Sequence, residues 1–216
     1  MTLNTPLHYQ IIKQDSYLRM PWKNGLGETL EIQRHDDEQG LRFRISQASV
    51  KDDGVFSDFS GVHRTLVLLS GGGVQLTHSS TKDKNDQRVI HHQLNSLLDS
   101  ARFTGGDETY ATLNSGVIED LNIMVREEDT LSQVQTGFAP IHFSLLSKTI
   151  FTGFYANEET ILAFQDNQSS EIQTVLIPSQ SLISLKQEHF NLAAIQLISG
   201  SGVLIEITHR LPCSMA

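Results

Sequence analysis

Glu31, Arg44, Asn122 and Arg126 sit in segments of alternating polarity, each on the polar side of its segment. In Asp120–Arg126, the residues Leu121, Ile123 and Val125 share one face, and Asp120, Asn122, Met124 and Arg126 share the other. In Leu41–Gln47, Leu41, Phe43 and Ile45 oppose Arg42, Arg44 and Ser46. In Thr29–Gln33, Leu30 and Ile32 oppose Thr29, Glu31 and Gln33. Two readings fit this pattern. The polar faces are solvated, as on half-exposed antiparallel sheets, or they line a lumen in which Glu31, Arg44, Asn122 and Arg126 converge. The second arrangement is suited to binding carboxylates, because a guanidinium is a planar fork that stays charged and holds a carboxylate through two parallel bonds. Arg64, which follows Gly61-Val62-His63 and opens the apolar run Thr65–Leu69, is either a rim charge or a ligand clamp.

Other chemistries find little support. The chain has nine His, but His91 and His92 are adjacent and so point to opposite faces of a strand. His63, His78, His142, His189 and His209 are isolated. Neither an HExxH motif, nor an EF-hand loop, nor a Cys/His cluster occurs, so no metal cofactor is expected. No Gly-x-Ser-x-Gly elbow, P-loop or Ser/His/Asp order is present. Phe103-Thr104-Gly105-Gly106-Asp107-Glu108 is a Gly-rich turn with no following helix, which argues against a phosphate cradle. Asp52-Asp53 and Glu127-Glu128-Asp129 read as solvated charge runs in turns.

The elements that must position these residues are strands. Period-2 alternation dominates, broken at short intervals by Gly, Asp, Asn and Ser. Strands are expected at Leu7–Ile12, Thr29–Arg34, Leu41–Val50, Arg64–Ser70, Val74–His78, Val89–His92, Asn95–Leu98, Glu108–Leu113 and Val117–Val125. The second half adds Leu131–Gln135, Ile141–Leu146, Thr160–Phe164, Ile172–Ile177, Leu182–Leu185, Ala193–Ser199 and Val203–His209. Ser79–Arg88 reads as a loop, and Asn157–Thr160 and Asp166–Glu171 as hairpin connections. The only Trp, Trp22, lies in Met20-Pro21-Trp22-Lys23-Asn24-Gly25, a tight turn feeding the strand that begins at Thr29. Trp22 either plugs one end of a barrel or walls a ligand site.

A repeat organises the chain. Leu68-Leu69-Ser70-Gly71-Gly72-Gly73-Val74-Gln75-Leu76 resembles Leu197-Ile198-Ser199-Gly200-Ser201-Gly202-Val203-Leu204-Ile205. A fainter echo links Val89–Leu98 with Thr174–Ile183. Two copies of one antiparallel barrel follow, with residues 1–130 as the first domain, 131–216 as the second, and room for strands to be exchanged between them. A formal net charge of −9 argues against nucleic acid and anionic membrane surfaces as partners. The single Cys excludes a disulfide framework. Without an apolar run of about 20 residues or a signal-peptide pattern, a cytoplasmic chain is expected. The sequence leaves room for a homodimer.

The chain also resembles a known family. The segments PWKNGLGETLEI (21–32), FRISQASVKDDGVFSDFSGVHRTLVLLSGGGVQL (43–76), FTGGDETYATLNSG (103–116) and VIEDLNIMVR (117–126) are similar to the HutD/Ves family of bacterial cupin-like proteins. The resemblance covers most of the first 126 residues, with departures at Leu26, His63 and Glu127. It implies an all-β, bicupin-like (RmlC-like jelly-roll) pair of antiparallel β-barrels without a metal-binding motif. It also implies a pocket in the first barrel built from Trp22, Asn24, Thr29, Glu31, Arg44, Arg64, Asn122 and Arg126. The implied function is non-enzymatic: binding of a small carboxylate such as N-formylglutamate or urocanate, to modulate histidine utilisation. The alternatives are a metal-independent lyase or isomerase using Glu31 or His63 as its acid–base group, and an interaction protein without a ligand.

Overall fold

The structure is a computed structural model that describes residues 8–22, 27–79, 88–166, 172–186 and 192–210. Asn24, with Lys23, Gly25 and Leu26, lies outside the described residues, as do most of the expected loop Ser79–Arg88 and of the expected connection Asp166–Glu171. In chain order the strands are β1 (Tyr9–Ile12), β2 (Leu18–Pro21), β3 (Gly27–Asp37), β4 (Gly40–Val50), β5 (Gly54–Val55), β6 (Val62–Ser70), β7 (Val74–Ser79), β8 (Val89–Leu94), β9 (Ser100–Thr104) and β10 (Glu108–Leu113). They continue with β11 (Ile118–Arg126), β12 (Thr130–Phe138), β13 (Ile141–Ser144), β14 (Phe151–Ala156), β15 (Thr160–Asp166), β16 (Ile172–Ile177), β17 (Ser181–Leu185), β18 (Leu192–Ser199) and β19 (Ser201–His209). Among the described residues no helix is long and apolar enough to cross a membrane.

The chain divides into two units. Tyr17–Leu131 carries a six-stranded sheet, β2-β3-β4-β11-β6-β9, and a four-stranded sheet, β5-β10-β7-β8. Ser132–His209, joined by the segment that ends at Ser16, carries a five-stranded sheet, β1-β17-β14-β19-β12, and a four-stranded sheet, β13-β18-β15-β16. The ladders registered in both units are antiparallel. Each unit has its own apolar core. Leu66, Leu68, Val74, Leu76, Phe103 and Ile118 are among the buried residues of the first. Phe143, Phe154, Phe164, Ile195 and Leu204 are among those of the second.

The two units share one connectivity, and it corrects the repeat read from the sequence. Strand order equates β4, β11, β6 and β9 with β12, β19, β14 and β17, and β5-β10-β7-β8 with β13-β18-β15-β16. The turn at Ser70–Gly73 therefore corresponds to the β14–β15 connection, not to Ser199–Gly202. The fainter echo of Val89–Leu98 in Thr174–Ile183 joins corresponding strands. The Asn157–Thr160 connection is likewise not a hairpin within one sheet, because it links β14 to β15 in different sheets.

Four strands, β2, β5, β9 and β14, stand outside the expected set, and one expected strand does not form. Asn95–Leu98 is a turn: the Asp99 carboxylate accepts the Asn95 and Ser96 backbone N–H groups at 2.9 and 2.8 Å, and Leu98 has φ of 67°. The strand follows it at Ser100–Thr104. β14 had no alternation to show, because all six of its residues are buried; a strand covered on both faces reads as a continuous apolar run.

Candidate functional site

The inner face of the six-stranded sheet is built row by row from strand register. Residues opposite one another across a ladder share a face. One row runs Met20, Thr29, Ala48, Asp120. The next runs Glu31, Ser46, Asn122, Leu66. A third runs Arg44, Met124, Arg64, Phe103. Between β11 and β6 the register shifts at Glu119/Asp120, a bulge that locally re-aims the strand beside Asp120. Phe56 and Phe59 enter from the irregular segment after β5. That segment is held by backbone bonds from Phe56 to Thr109 and from Phe59 to Gly105. Gly105 permits this approach: a Cβ there would stand 2.5 Å from the Phe59 carbonyl oxygen.

These rows enclose a cavity of about 510 Å³, within the size range of small-molecule sites. Trp22, Thr29, Arg44, Ser46, Arg64, Asp120 and Asn122 give it its polar and aromatic character, and Met20, Val50, Phe56, Phe59 and Met124 are among its apolar walls. Trp22 Nε1–H donates to Thr29 Oγ1 at 2.8 Å, which fixes the indole against the cavity wall. Arg44 Nε donates to Glu31 at 2.7 Å, so Glu31 neutralises and orients Arg44 from behind.

Arg64 is held differently. It is only 4% exposed, yet makes no carboxylate ion pair among the described residues. Its Nε and Nη2 donate to the amide oxygen of Asn122 at 3.3 and 2.7 Å. Its guanidinium carbon lies 5.3, 5.3 and 5.0 Å from the ring centres of Phe56, Phe59 and Phe103, within cation–π range. Burial lowers its pKa to about 10, so the cation persists at neutral pH. The Asn122 amide in turn donates to Asp120 Oδ1 at 2.5 Å. Asp120 is 1% exposed. Burial pushes its carboxyl up to about 7, against the opposing pull of Arg64 and the Asn122 hydrogen bond, while Glu119 adds to the rise. The result is a relay in which a neutral amide separates a buried cation from a buried acid whose pKa is raised.

Trp22, Thr29, Arg44, Arg64 and Asn122 thus meet at one cavity, and Glu31 stands behind Arg44. Arg126 does not join them, which corrects the expected convergence. It shares the polar face of β11 but lies four residues beyond Asn122, about 13 Å along a strand rising about 3.3 Å per residue. There it donates to Asp37 from Nη1 and Nη2, each at 2.7 Å, and to Asp129 from Nε and Nη2, each at 2.9 Å. Arg42 bonds the same two carboxylates. Asp37 and Asp129 raise the pKa of Arg126 through these bonds, and Arg126 lowers theirs. With its donors occupied, it closes an ion-pair network instead of offering itself to a ligand. His63 points to the opposite side of β6 from Arg64 and is absent from the cavity lining.

Asp120, Ser46, Met124, Phe56 and Phe59 are the site residues that sequence reasoning did not single out. Asp120 and Ser46 share their polar faces with Asn122 and Arg44, so the alternation itself contained that signal. The two Phe residues follow no period. Among the described residues no group of three or more His, Cys, Asp or Glu could hold a metal ion.

The HutD family model matches residues 14–205. The chain belongs to the HutD family. An uncharacterized 21.2 kDa protein in the hutC 3′ region of Pseudomonas putida is 31% identical over 128 residues, 58% of this chain and 63% of that protein. Protein Ves of Citrobacter koseri is 35% identical over 116 residues, 53% of this chain and 56% of that protein. The chain therefore spans less than two thirds of the length of these curated relatives. The HutD structure from Pseudomonas fluorescens SBW25 superposes with a TM-score of 0.74 at 24% identity, covering 94% of this chain and all of that one. Oxalate decarboxylase from Lactobacillus farciminis superposes with a TM-score of 0.58 at 8% identity, covering 98% of this chain and 88% of that one. The fold of this HutD-family chain is all-β and cupin-like.

Proposed function

We propose that this HutD-family chain binds a small carboxylate in the cavity of its six-stranded sheet, and thereby modulates histidine utilisation by holding an intermediate such as N-formylglutamate or urocanate. The observation that carries this reading is Arg64: a buried cation, presented by a neutral amide and three aromatic rings, with no carboxylate within ion-pair distance among the described residues. Its Nη1 has no hydrogen-bond partner among the described residues, and Arg44 brings further donors to the same cavity. Charged-group hydrogen bonds of this kind contribute about 1.5–3 kcal/mol each. The hutC neighbourhood of the Pseudomonas putida relative supports the metabolic setting, and a cytoplasmic location belongs to the same reading.

The test is thermal unfolding with N-formylglutamate and urocanate. The melting temperature should rise with ligand concentration by mass action. Arg64→Met keeps the side-chain length and removes the charge. It should weaken binding by roughly 30-fold or more. The unliganded melting temperature should stay nearly level, because relief of the buried charge's desolvation cost offsets the loss of the Asn122 bonds and of the charge facing Asp120. A variant that melts lower and still responds to ligand would make Arg64 a structural residue and sink the reading.

Asp120 favours a second reading, metal-independent acid–base chemistry on a small acid, since a cavity carboxyl that titrates near neutrality can exchange protons with a ligand. Proton NMR of either ligand after prolonged incubation decides it. New resonances that vanish in Asp120→Asn support catalysis, and an unchanged spectrum leaves binding alone.

A further inference from the structure

We propose that anion binding in this cavity is coupled to the uptake of one proton, which Asp120 takes from solvent. The inference rests on the carboxylate-binding reading above and begins from the charges that line the cavity. Arg44, on β4, is matched by Glu31 of β3 at 2.7 Å. Arg64, on β6, is the one lining cation that lacks a carboxylate within ion-pair distance among the described residues. Asp120, on β11 between those strands, is the lining group that offsets it. A carboxylate entering beside Arg64 would place a second anion opposite the same cation, next to the buried Asp120. Two buried carboxylates that share one countercharge do not both stay ionised. One proton must enter with the ligand.

The geometry selects the group that takes it. Asp120 Oδ1 is occupied by the Asn122 amide N–H, whereas Oδ2 has no hydrogen bond among the described residues and belongs to a side chain lining the cavity. A proton on Oδ2 turns Asp120 from an acceptor into a donor aimed at an oxygen of the ligand. Glu31 is already engaged, since its carboxylate meets the Arg44 guanidinium. The other charged or titratable groups that act on the pair are Glu119 on the same strand, which favours protonation of Asp120, and His78 of β7, whose burial holds it neutral at pH 7, with a pKa lowered to about 4. Among the described residues, β5 and the segment after it contribute Val55, Phe56, Ser57 and Phe59 to the lining, none of them charged. The balance is free protein plus ligand carboxylate plus H⁺ giving a complex protonated at Asp120, with no bond broken in the ligand. The site therefore takes small acids that present one carboxylate to Arg64 and a second acceptor oxygen to Asp120. A ligand that met Asp120 with an ammonium group would keep it ionised and bind without proton uptake.

Calorimetric titration of the full chain with N-formylglutamate, which has no group titrating between about pH 6 and 9, tests this in non-carboxylate buffers of different ionisation enthalpy. At about pH 8 the buffer dependence of the heat should correspond to uptake of nearly one proton, and above about pH 7 the affinity should fall by up to about tenfold per pH unit. Asp120→Asn, which mimics the protonated acid, should bind with no uptake and with one affinity across that range. Binding by the unaltered protein without buffer-dependent heat overturns the proposal and leaves carboxylate binding standing. Equal uptake by Asp120→Asn also overturns it, because another group would then be the acceptor. Absence of binding at every pH removes the carboxylate reading, and this inference with it. If Asp120→Asn does not fold, the proton count of the unaltered protein decides alone.

Discussion

Asp120 is the costliest residue in the site when the cavity is empty. Its carboxyl is fully buried, one oxygen meets a neutral amide, and its cationic neighbour Arg64 is committed to Asn122. The upward shift to about 7 means that the folded chain holds this proton more tightly than the unfolded chain does. The stabilisation is complete below the ordinary carboxylate range and is lost as pH rises through about 7. Asp120→Asn should therefore match the unaltered, unliganded protein near pH 4 and exceed it near pH 8. The ceiling is roughly 4 kcal/mol, at about 1.4 kcal/mol per pKa unit. Urea unfolding at the two pH values measures it, and equal stability at both would show that Asp120 does not titrate across this interval. Alternation placed Asp120 on the same face as Asn122, but a single carboxylate on a polar face has the same pattern whether solvated or buried. Arg126 illustrates the converse. Period 2 assigned its face correctly and said nothing of its depth along the strand, where Asp37 and Asp129 claim it.

Among the elements, the β2–β3 pair decides how the cavity is walled. The Trp22 backbone N–H donates to the Gly27 carbonyl at 3.0 Å, and the indole reaches Thr29 from there. Its ring lies so close to Gly27 that a Cβ would stand 2.9 Å from two ring carbons and 2.3 Å from the Ser49 carbonyl oxygen. Gly27 thus sets the seat of Trp22. Gly27→Ala should displace the indole, redden its emission, and cut the ligand-induced rise in melting temperature, with an overpacking cost of about 1–3 kcal/mol. Because Trp22 is the only Trp, its fluorescence reports this site alone. An unchanged emission maximum with full ligand response would count against Trp22 as a wall. Most strands were legible because one face is apolar and the other polar. β14 was not, since both of its faces are covered, and β9 was displaced in the reading by the apolar pair Leu97-Leu98 in the turn before it. The repeat was legible as a fact but aligned at the wrong turn, because Ser-Gly-x-Gly records the needs of a tight turn and not its place in the topology.

At the scale of the whole molecule, one connectivity is used twice with different interiors. In the unit Tyr17–Leu131 the central strand β11 turns Asp120, Asn122 and Met124 into a cavity. In the other unit its counterpart β19 places Leu204 in a core with Phe154, Phe143 and Phe164. Fold and site are thus separable, and only the site required the resemblance to the family to be read as a pocket. The surroundings oppose the site's sign. A formal charge of −9 repels an anionic ligand at a distance, while the contacts awaiting it are at buried Arg64 and half-buried Arg44. Salt screens the first effect far more than the second, since the Debye length falls from about 30 Å at 0.01 M to about 8 Å at 0.15 M. Association of N-formylglutamate, followed by stopped-flow fluorescence of Trp22, should therefore quicken by about two- to fivefold over that range, and dissociation should change little. An association rate that falls as salt is added would mean that a local basic surface, and not the net charge, governs the approach to the cavity.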